Sequence, residues 1–223
     1  MAQYDMLVIG TGPAGQKAAV QAAKLGKKVG IIERKEVVGG VCTNTGTIPS
    51  KALREAVLYL SGLRQRTLYG AEYRLKKTIT IEDLAFRANH VIKNEIEIVK
   101  NQMARNCIDL IFGEARFLDP HRLLIQQAGT SIEHCAHVII IAVGTGPSRP
   151  AEIPFDDDTI IDTDGLLTLK HLPTSMVIVG GGVIGTEYAS ILATMGVPVI
   201  LIDKRPRLLE FVDAQIIGAL QRQ

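Results

Sequence analysis

Tyr4-Asp5-Met6-Leu7-Val8-Ile9-Gly10-Thr11-Gly12-Pro13-Ala14-Gly15 decides the fold of this chain. Its first half is a short, mostly apolar run that suits a buried parallel strand. A G-x-G-x-x-G turn follows at once, and Ala-rich helical sequence continues to Leu25, where Gly26 closes it. A second apolar run, Val29 to Ile32, then delivers Glu33. Strand, glycine turn, helix, strand and acid, in that order, make the fingerprint of a Rossmann-like dinucleotide site. Gly10 makes the tight turn, Gly12 lets backbone approach a pyrophosphate, and Gly15 lets helix and strand pack closely. Pro13 and Ala14 open the helix whose N–H groups would hold that pyrophosphate, and Glu33 would accept a ribose hydroxyl. A glycine-rich turn in an unrelated α/β protein would leave the complete order unexplained.

The same order returns near the other end. Met176 to Val179 is a strand-like run, followed by Gly180-Gly181-Gly182-Val183-Ile184-Gly185, helical sequence to Met195, Gly196, a strand from Val199 to Ile202, and Asp203. Two copies of one fingerprint form an internal repeat and predict two nucleotide sites. At the second, Gly180, Gly182, Val183, Ile184, Gly185 and Asp203 are the candidate contacts. Gly185 and Asp203 favour NAD, because an acid accepts ribose hydroxyls and repels a 2′-phosphate. Lys204, Arg205 and Arg207 follow directly and read either as a solvated loop or as partners for that phosphate.

Between the repeats, 49–64 reads as a helix with Ala52, Leu53, Ala56, Val57 and Leu60 on one face. Residues 65–79 are polar and turn-prone. A longer helix starts at the cap Thr80, with Glu82 and Asp83 in its first turn and a stripe through Leu84, Ala88, Val91, Ile92, Ile96, Val99 and Met103. Five short strands are expected at 110–112, 115–118, 123–125, 131–133 and 138–142, forming a small antiparallel meander between parallel strands. His90, His121, His134, Cys135 and His137 lack the spacing of a zinc site and read as structural, so no metal is expected. The last stretch, from Pro206, begins as helix.

Composition narrows the function classes. An apolar share of 47% with 22% charged residues describes an ordinary globular chain with a core. A net charge of +2 gives no case for nucleic acid or an anionic membrane, and 4% aromatic residues give none for base stacking. Cys42, Cys107 and Cys135 form no disulfide framework, the amino terminus runs directly into a strand, and no apolar run approaches a membrane span. A cytoplasmic protein is expected.

Gly39-Gly40-Val41-Cys42-Thr43-Asn44-Thr45-Gly46-Thr47-Ile48-Pro49-Ser50-Lys51 lies between the two signatures. This segment, with Gly113-Glu114-Ala115, Ala142-x-Gly144 and 180–187, resembles the two-dinucleotide flavoprotein disulfide reductases, the family of dihydrolipoyl dehydrogenase and glutathione reductase. Within that family, 46–54 and 182–191 are most similar to the soluble Si-specific transhydrogenase branch. The resemblance covers the amino-terminal half of the family's length. It implies that the first fingerprint, with Gly40, Gly113, Ala115, Ala142 and Gly144, binds FAD and that the second binds NAD or NADP. It also implies that Cys42, Thr47 and Lys51 lie beside the flavin ring, with Lys51 and Glu187 forming a charged pair, and that full-length members are homo-oligomers. The family's pattern has a second cysteine where this chain has Thr47.

That departure sets the expected chemistry. A disulfide reductase needs two thiols, one to attack the substrate and one to pass electrons from the flavin. With Thr47 in place, hydride exchange from nicotinamide to flavin to nicotinamide remains. Cys42 reads equally as a small packed residue or as a reactive thiol. The competing expectations are a dihydrolipoyl dehydrogenase-like protein with another acceptor, and a nonenzymatic remnant. The fold expected is α/β: an FAD-binding Rossmann-like parallel sheet with its meander at 1–150, then the first βαβ unit of an NAD(P)-binding domain at 151–223. Because the family's second flavin-contacting segment has no counterpart here, weak FAD binding is expected of these residues alone.

Overall fold

A computed structural model describes residues 2–70, 72–73, 75–76, 79–127 and 129–222, so part of the polar stretch expected at 65–79 lies outside the described residues. In chain order the elements are β1 (Ala2–Ile9), α1 (Pro13–Lys24), β2 (Val29–Glu33), α2 (Gly40–Asn44), α3 (Thr47–Leu60), α4 (Arg66–Tyr69) and α5 (Ile81–Arg105). They are followed by β3 (Asp109–Phe112), β4 (Glu114–Asp119), β5 (Arg122–Gln127), β6 (Thr130–Ile141), β7 (Met176–Val179), α6 (Val183–Thr194), β8 (Val199–Ile202) and α7 (Ala214–Gln221). The chain divides into two compact units: Met1–Pro49 with Asn89–Pro150, and Ser50–Ala88 with Ala151–Gln223.

The first unit is built on a six-stranded sheet of order β3-β2-β1-β6-β5-β4. β1 runs parallel to β2 and β6, and β3 is parallel to β2. β4, β5 and β6 form the antiparallel meander. The strands expected separately at 131–133 and 138–142 are one strand, β6. Its first part, Thr130 to Cys135, pairs with β5, and His134 to Ile141 pairs with β1. A continuous ladder explains the merger, because the polar residues at 133–137 interrupt hydropathy without interrupting backbone pairing. Val8, Val29 and Ile31 pack with Ala19 and Val20 of α1 and Met103 of α5; Leu7, Ile32, Leu123 and Ile125 form a second cluster.

His134 is buried, both ring nitrogens lack hydrogen-bond partners among the described residues, and the ring lies 5.9 Å from that of Tyr4. Burial pulls its pKa below the ordinary 6.5 because the charged ring is poorly solvated there. A lowered histidine pKa means that the unfolded chain takes up the proton first, so this contribution is intact above about pH 6.5 and is lost as pH falls. With thermal midpoints followed from pH 7.5 to 5.0, the native chain should therefore lose ground against His134→Leu as pH drops. The slope of that difference is limited to at most about 1.4 kcal/mol per pH unit for this one group. A difference that stays constant with pH would refute the assignment.

In the second unit, β7 and β8 pair in parallel and α6 packs on them, with Tyr188, Ile191 and Leu192 buried in the helix. Leu84 and Ala88 of α5, and Ala52, Leu53, Ala56 and Val57 of α3, are buried as their spacing predicts. α5 begins with a reciprocal cap. The Thr80 hydroxyl accepts from the Asp83 N–H at 3.4 Å, and Asp83 accepts the Thr80 N–H at 2.9 Å. The helix expected from Pro206 starts instead at Ala214, where Asp213 accepts N–H groups from Gln215 and Ile216. In the 206–212 stretch the Leu209 N–H donates instead to the Gly181 carbonyl oxygen at 3.3 Å, a bond outside any helical pattern. Among the described residues, no helix is long and apolar enough to cross a membrane, and no three His, Cys, Asp or Glu side chains cluster for a metal.

Candidate functional site

The first fingerprint folds as a strand-to-helix turn whose glycines have distinct jobs. Gly10 has φ +106, a left-handed value, and a Cβ there would fall 2.2 Å from the carbonyl oxygen of Ala142. A Cβ on Gly15 would stand 1.9 Å from the Gly10 carbonyl oxygen and 3.2 Å from Val8 Cγ1. Gly12 differs, since nothing lies within 4 Å of its Cβ position. It is the N-cap of α1, with Pro13 and Ala14 next, so space is open over the start of the helix, the end whose dipole favours an anion.

Glu33 ends β2 and is buried. Its carboxylate accepts the Thr11 N–H at 3.2 Å, the Thr11 hydroxyl, and the Lys35 N–H at 3.0 Å. The Thr11 hydroxyl also accepts the Gly39 N–H at 3.0 Å, which ties the acid to the turn entering α2. A Cβ on Gly40 would lie 2.9 Å from Gly12 Cα, so the two turns are in backbone contact. Around them is a cleft of about 300 Å³. Of the expected contacts, Gly10, Gly12, Pro13, Glu33, Gly40, Cys42, Gly113, Ala115, Ala142 and Gly144 line it; Ala14, exposed, and Gly15, buried, are in the first turn of α1 outside that lining, and Thr47 opens α3. Thr11, Arg34 and Lys35 line the cleft as well. Sequence reasoning missed them because the fingerprint leaves these positions free, and only the acid's need for donors would have drawn attention to a threonine there.

Gly180, Gly182 and Gly185 repeat the turn in the second unit, most closely at Gly185, although a Cβ on Gly180 would meet nothing within 4 Å. Gly180 has φ +115, and a Cβ on Gly185 would fall 1.9 Å from the Gly180 carbonyl oxygen and 3.3 Å from Ile178 Cγ2. The nearest atom to a Cβ on Gly182 is Arg205 Nη2, at 4.0 Å. Val183 and Ile184 begin α6 with exposed side chains. Asp203 accepts the Gly181 N–H at 2.5 Å and the Arg205 N–H at 2.7 Å. The Arg205 guanidinium grips both carboxylate oxygens, at 2.9 Å through Nε and 2.7 Å through Nη2. These donors, the guanidinium foremost, hold the Asp203 carboxyl well below the usual carboxylate range. Lys204 is exposed beside them.

One helical turn into α6, Glu187 accepts from Lys51 Nζ at 2.5 Å and from the Ser50 hydroxyl at 3.4 Å, so the expected charged pair is formed. Lys51 is half-exposed, whereas Glu187 is largely covered. Among the described residues, the three cysteines are unbridged.

The chain carries two strand-to-helix glycine turns, each with an acid beside it, and a Lys51–Glu187 ion pair, and the family model described as pyridine nucleotide-disulphide oxidoreductase matches residues 4–223. The chain belongs to that family. Among members of the pyridine nucleotide-disulphide oxidoreductase family, it is 53% identical over 223 residues to the soluble pyridine nucleotide transhydrogenase of Mycobacterium tuberculosis (strain ATCC 25177 / H37Ra), covering 99% of this chain and 48% of the relative. It is 43% identical over 218 residues to that of Colwellia psychrerythraea, covering 97% of this chain and 47% of the relative. A solved family structure, the Cu(II) complex of the HOCl-induced flavoprotein disulfide reductase RclA from Escherichia coli, superposes with a TM-score of 0.81. It is 30% identical and is matched over 100% of this chain and 48% of its own. The chain spans about half the length of the curated relatives it matches.

Proposed function

We propose that this chain contributes the nucleotide-binding machinery of an FAD-dependent oxidoreductase that moves hydride between NADPH and NAD+, as a soluble, Si-specific pyridine nucleotide transhydrogenase does. The observation that carries the reading is the pairing of two fingerprint turns of one geometry with Thr47 in place of the second thiol. The relatives named for that activity support it.

The first cleft fits FAD. Its open Gly12 position and the start of α1 suit a pyrophosphate, and buried Glu33 suits the adenosine ribose. A flavin, when bound, takes up a hydride and gives it back. Thr11 orients the Glu33 carboxylate, and Gly40 brings the turn before Cys42 against Gly12. In the second unit, the Gly182 position and the start of α6 suit the pyrophosphate of NAD or NADP. The Lys51–Glu187 pair is the proposed charge control of the transfer, and Cys42 and Thr47 are proposed to line the reaction site. Cys42 without a partner thiol gives electrons no protein disulfide to enter. The reading carries with it a cytoplasmic location and a homo-oligomeric assembly for the whole protein.

Stopped-flow absorbance tests it. The FAD-saturated chain is mixed with NADPH and then with thio-NAD+. Bleaching of the flavin followed by its return with thio-NADH formation is the expected result. Bleaching that only a quinone or oxygen reverses would instead assign another acceptor, and an unchanged spectrum would leave a nonenzymatic protein.

A further inference from the structure

The Thr11 hydroxyl stands between the β2 acid and the turn that enters α2. It donates to Oε2 of Glu33 and accepts the Gly39 N–H at 3.0 Å. Thr11 and Glu33 are both buried, and the described donors to the carboxylate, the Thr11 N–H and O–H and the Lys35 N–H, are all neutral. A hydroxyl has one proton, so with it committed to Glu33 the oxygen is left as an acceptor, and Gly39 supplies the donor. In the second unit the same position is Gly181, which carries no hydroxyl, although strand, turn and acid correspond. The link is therefore peculiar to the first cleft and is not a general part of the fingerprint.

The segment that Thr11 holds has little stiffness of its own. Gly39 and Gly40 stand in succession at φ +105 and +61, left-handed values that glycine adopts freely. Gly39 is the N-cap of α2, and Gly40 is the first residue of the helix that carries Cys42. On the helix side the turn is held by Asn44, whose amide donates to the Val38 carbonyl oxygen at 3.0 Å and to that of Gly40 at 2.9 Å. On the fingerprint side it is held by Thr11 and by the approach of Gly40 to Gly12. A glycine pair pinned on both sides is a hinge, and Thr11 is the pin that also touches the nucleotide acid.

We propose that Thr11 is a positioning residue whose hydroxyl couples occupancy of the adenosine end of the first cleft to the setting of the 39–40 hinge, and so to the exposure of Cys42. A ligand hydroxyl donating to Glu33 fixes the carboxylate. The Thr11 O–H is then fixed with it, and the Gly39 N–H is kept on the hydroxyl oxygen. Removal of the hydroxyl leaves the buried Gly39 N–H without that acceptor, a penalty that turning of the glycine pair relieves. The coupling is reciprocal, so a change of the hinge also changes the affinity of the adenosine end. This rests on the reading of the first cleft as the FAD site with Glu33 as its ribose acid.

The test is the rate at which iodoacetamide alkylates Cys42 in the full chain, followed peptide by peptide by mass spectrometry, with and without saturating ADP. ADP carries the adenosine and pyrophosphate of FAD and no flavin to cover the thiol, and its saturation is read from its competition with FAD. Cys107 and Cys135 are free thiols in the same samples and serve as references. Relative to them, bound ADP should slow alkylation of Cys42 in the native chain about fivefold. In Thr11→Val, which keeps the side-chain shape and loses the hydroxyl, saturating ADP should leave the rate unchanged within about twofold, and Thr11→Ser should restore the native slowing. Thr11→Gly gives position 11 the residue that the second turn carries, should behave as Thr11→Val does, and supplies the measurement should Thr11→Val fold poorly. Equal slowing in the native chain and in the hydroxyl-free variants is shielding by the ligand and overturns the coupling, as does a native rate that bound ADP leaves unchanged. Both of those results leave the FAD reading in place. Failure of ADP to compete with FAD for the native chain overturns the reading and the inference with it.

Discussion

Gly15→Val should weaken FAD binding on the order of a hundredfold while leaving 2′,5′-ADP binding to the second site within about twofold. A Cβ at this position stands 1.9 Å from the Gly10 carbonyl oxygen, and the rest of the valine points toward Val8. Neither obstacle is the flexible end of a side chain. One is the backbone of the tight turn, and the other is in the close-packed core beneath α1. The helix must lift off the strand, which costs about 1–3 kcal/mol as overpacking and moves the first-turn N–H groups out of line with the pyrophosphate. A charge-assisted hydrogen bond to that anion is worth roughly 1.5–3 kcal/mol, so misaligning two of them accounts for the expected weakening. Fluorescence quenching of added FAD gives the dissociation constant. Gly12→Ala is the control: its Cβ meets no protein atom, so the fold should hold and only the ligand should feel the methyl group. Native-like FAD affinity in Gly15→Val would remove the first cleft from consideration as the flavin site.

Much of this architecture was legible because glycine spacing encodes close backbone approaches, which survive changes in the surrounding side chains. Gly10, Gly15, Gly180 and Gly185 were identifiable as special backbone positions. At Gly10 and Gly15, and again at Gly185, a Cβ would run into backbone, while Gly180 holds a left-handed φ. The acids were legible for the same reason: each ends a strand beside its turn. Their partners were not. Nothing in the spacing shows that Thr11 supplies two donors to Glu33, or that Arg205 occupies both oxygens of Asp203. Those hydrogen bonds depend on rotamers and on loop paths that periodicity does not describe. The long strand β6 was misread for a related reason. Its polar residues Glu133, His134 and His137 look like a break, yet backbone pairing with β1 and β5 continues through them.

Gly185→Val separates the second nucleotide site from the first. The clash reproduces that at Gly15: 1.9 Å to the Gly180 carbonyl oxygen and 3.3 Å to Ile178 Cγ2. The consequence is larger for the unit that carries it, because β7 and β8 form a sheet of only two strands and α6 is the helix packed on it. Lifting α6 also disturbs Tyr188, Ile191 and Leu192, the buried residues of that helix. Binding of 2′,5′-ADP and of ADP-ribose should fall together, each by at least about a hundredfold, with FAD affinity unchanged within about twofold. A common fall is expected because both probes carry a 5′-phosphate, and a glycine that sets helix position should act on that shared group. Calorimetry with both probes, beside FAD quenching on the same preparation, reads the distinction directly. Retained probe binding in Gly185→Val, with circular dichroism showing a native helix content, would place nucleotide recognition somewhere other than the 180–185 turn.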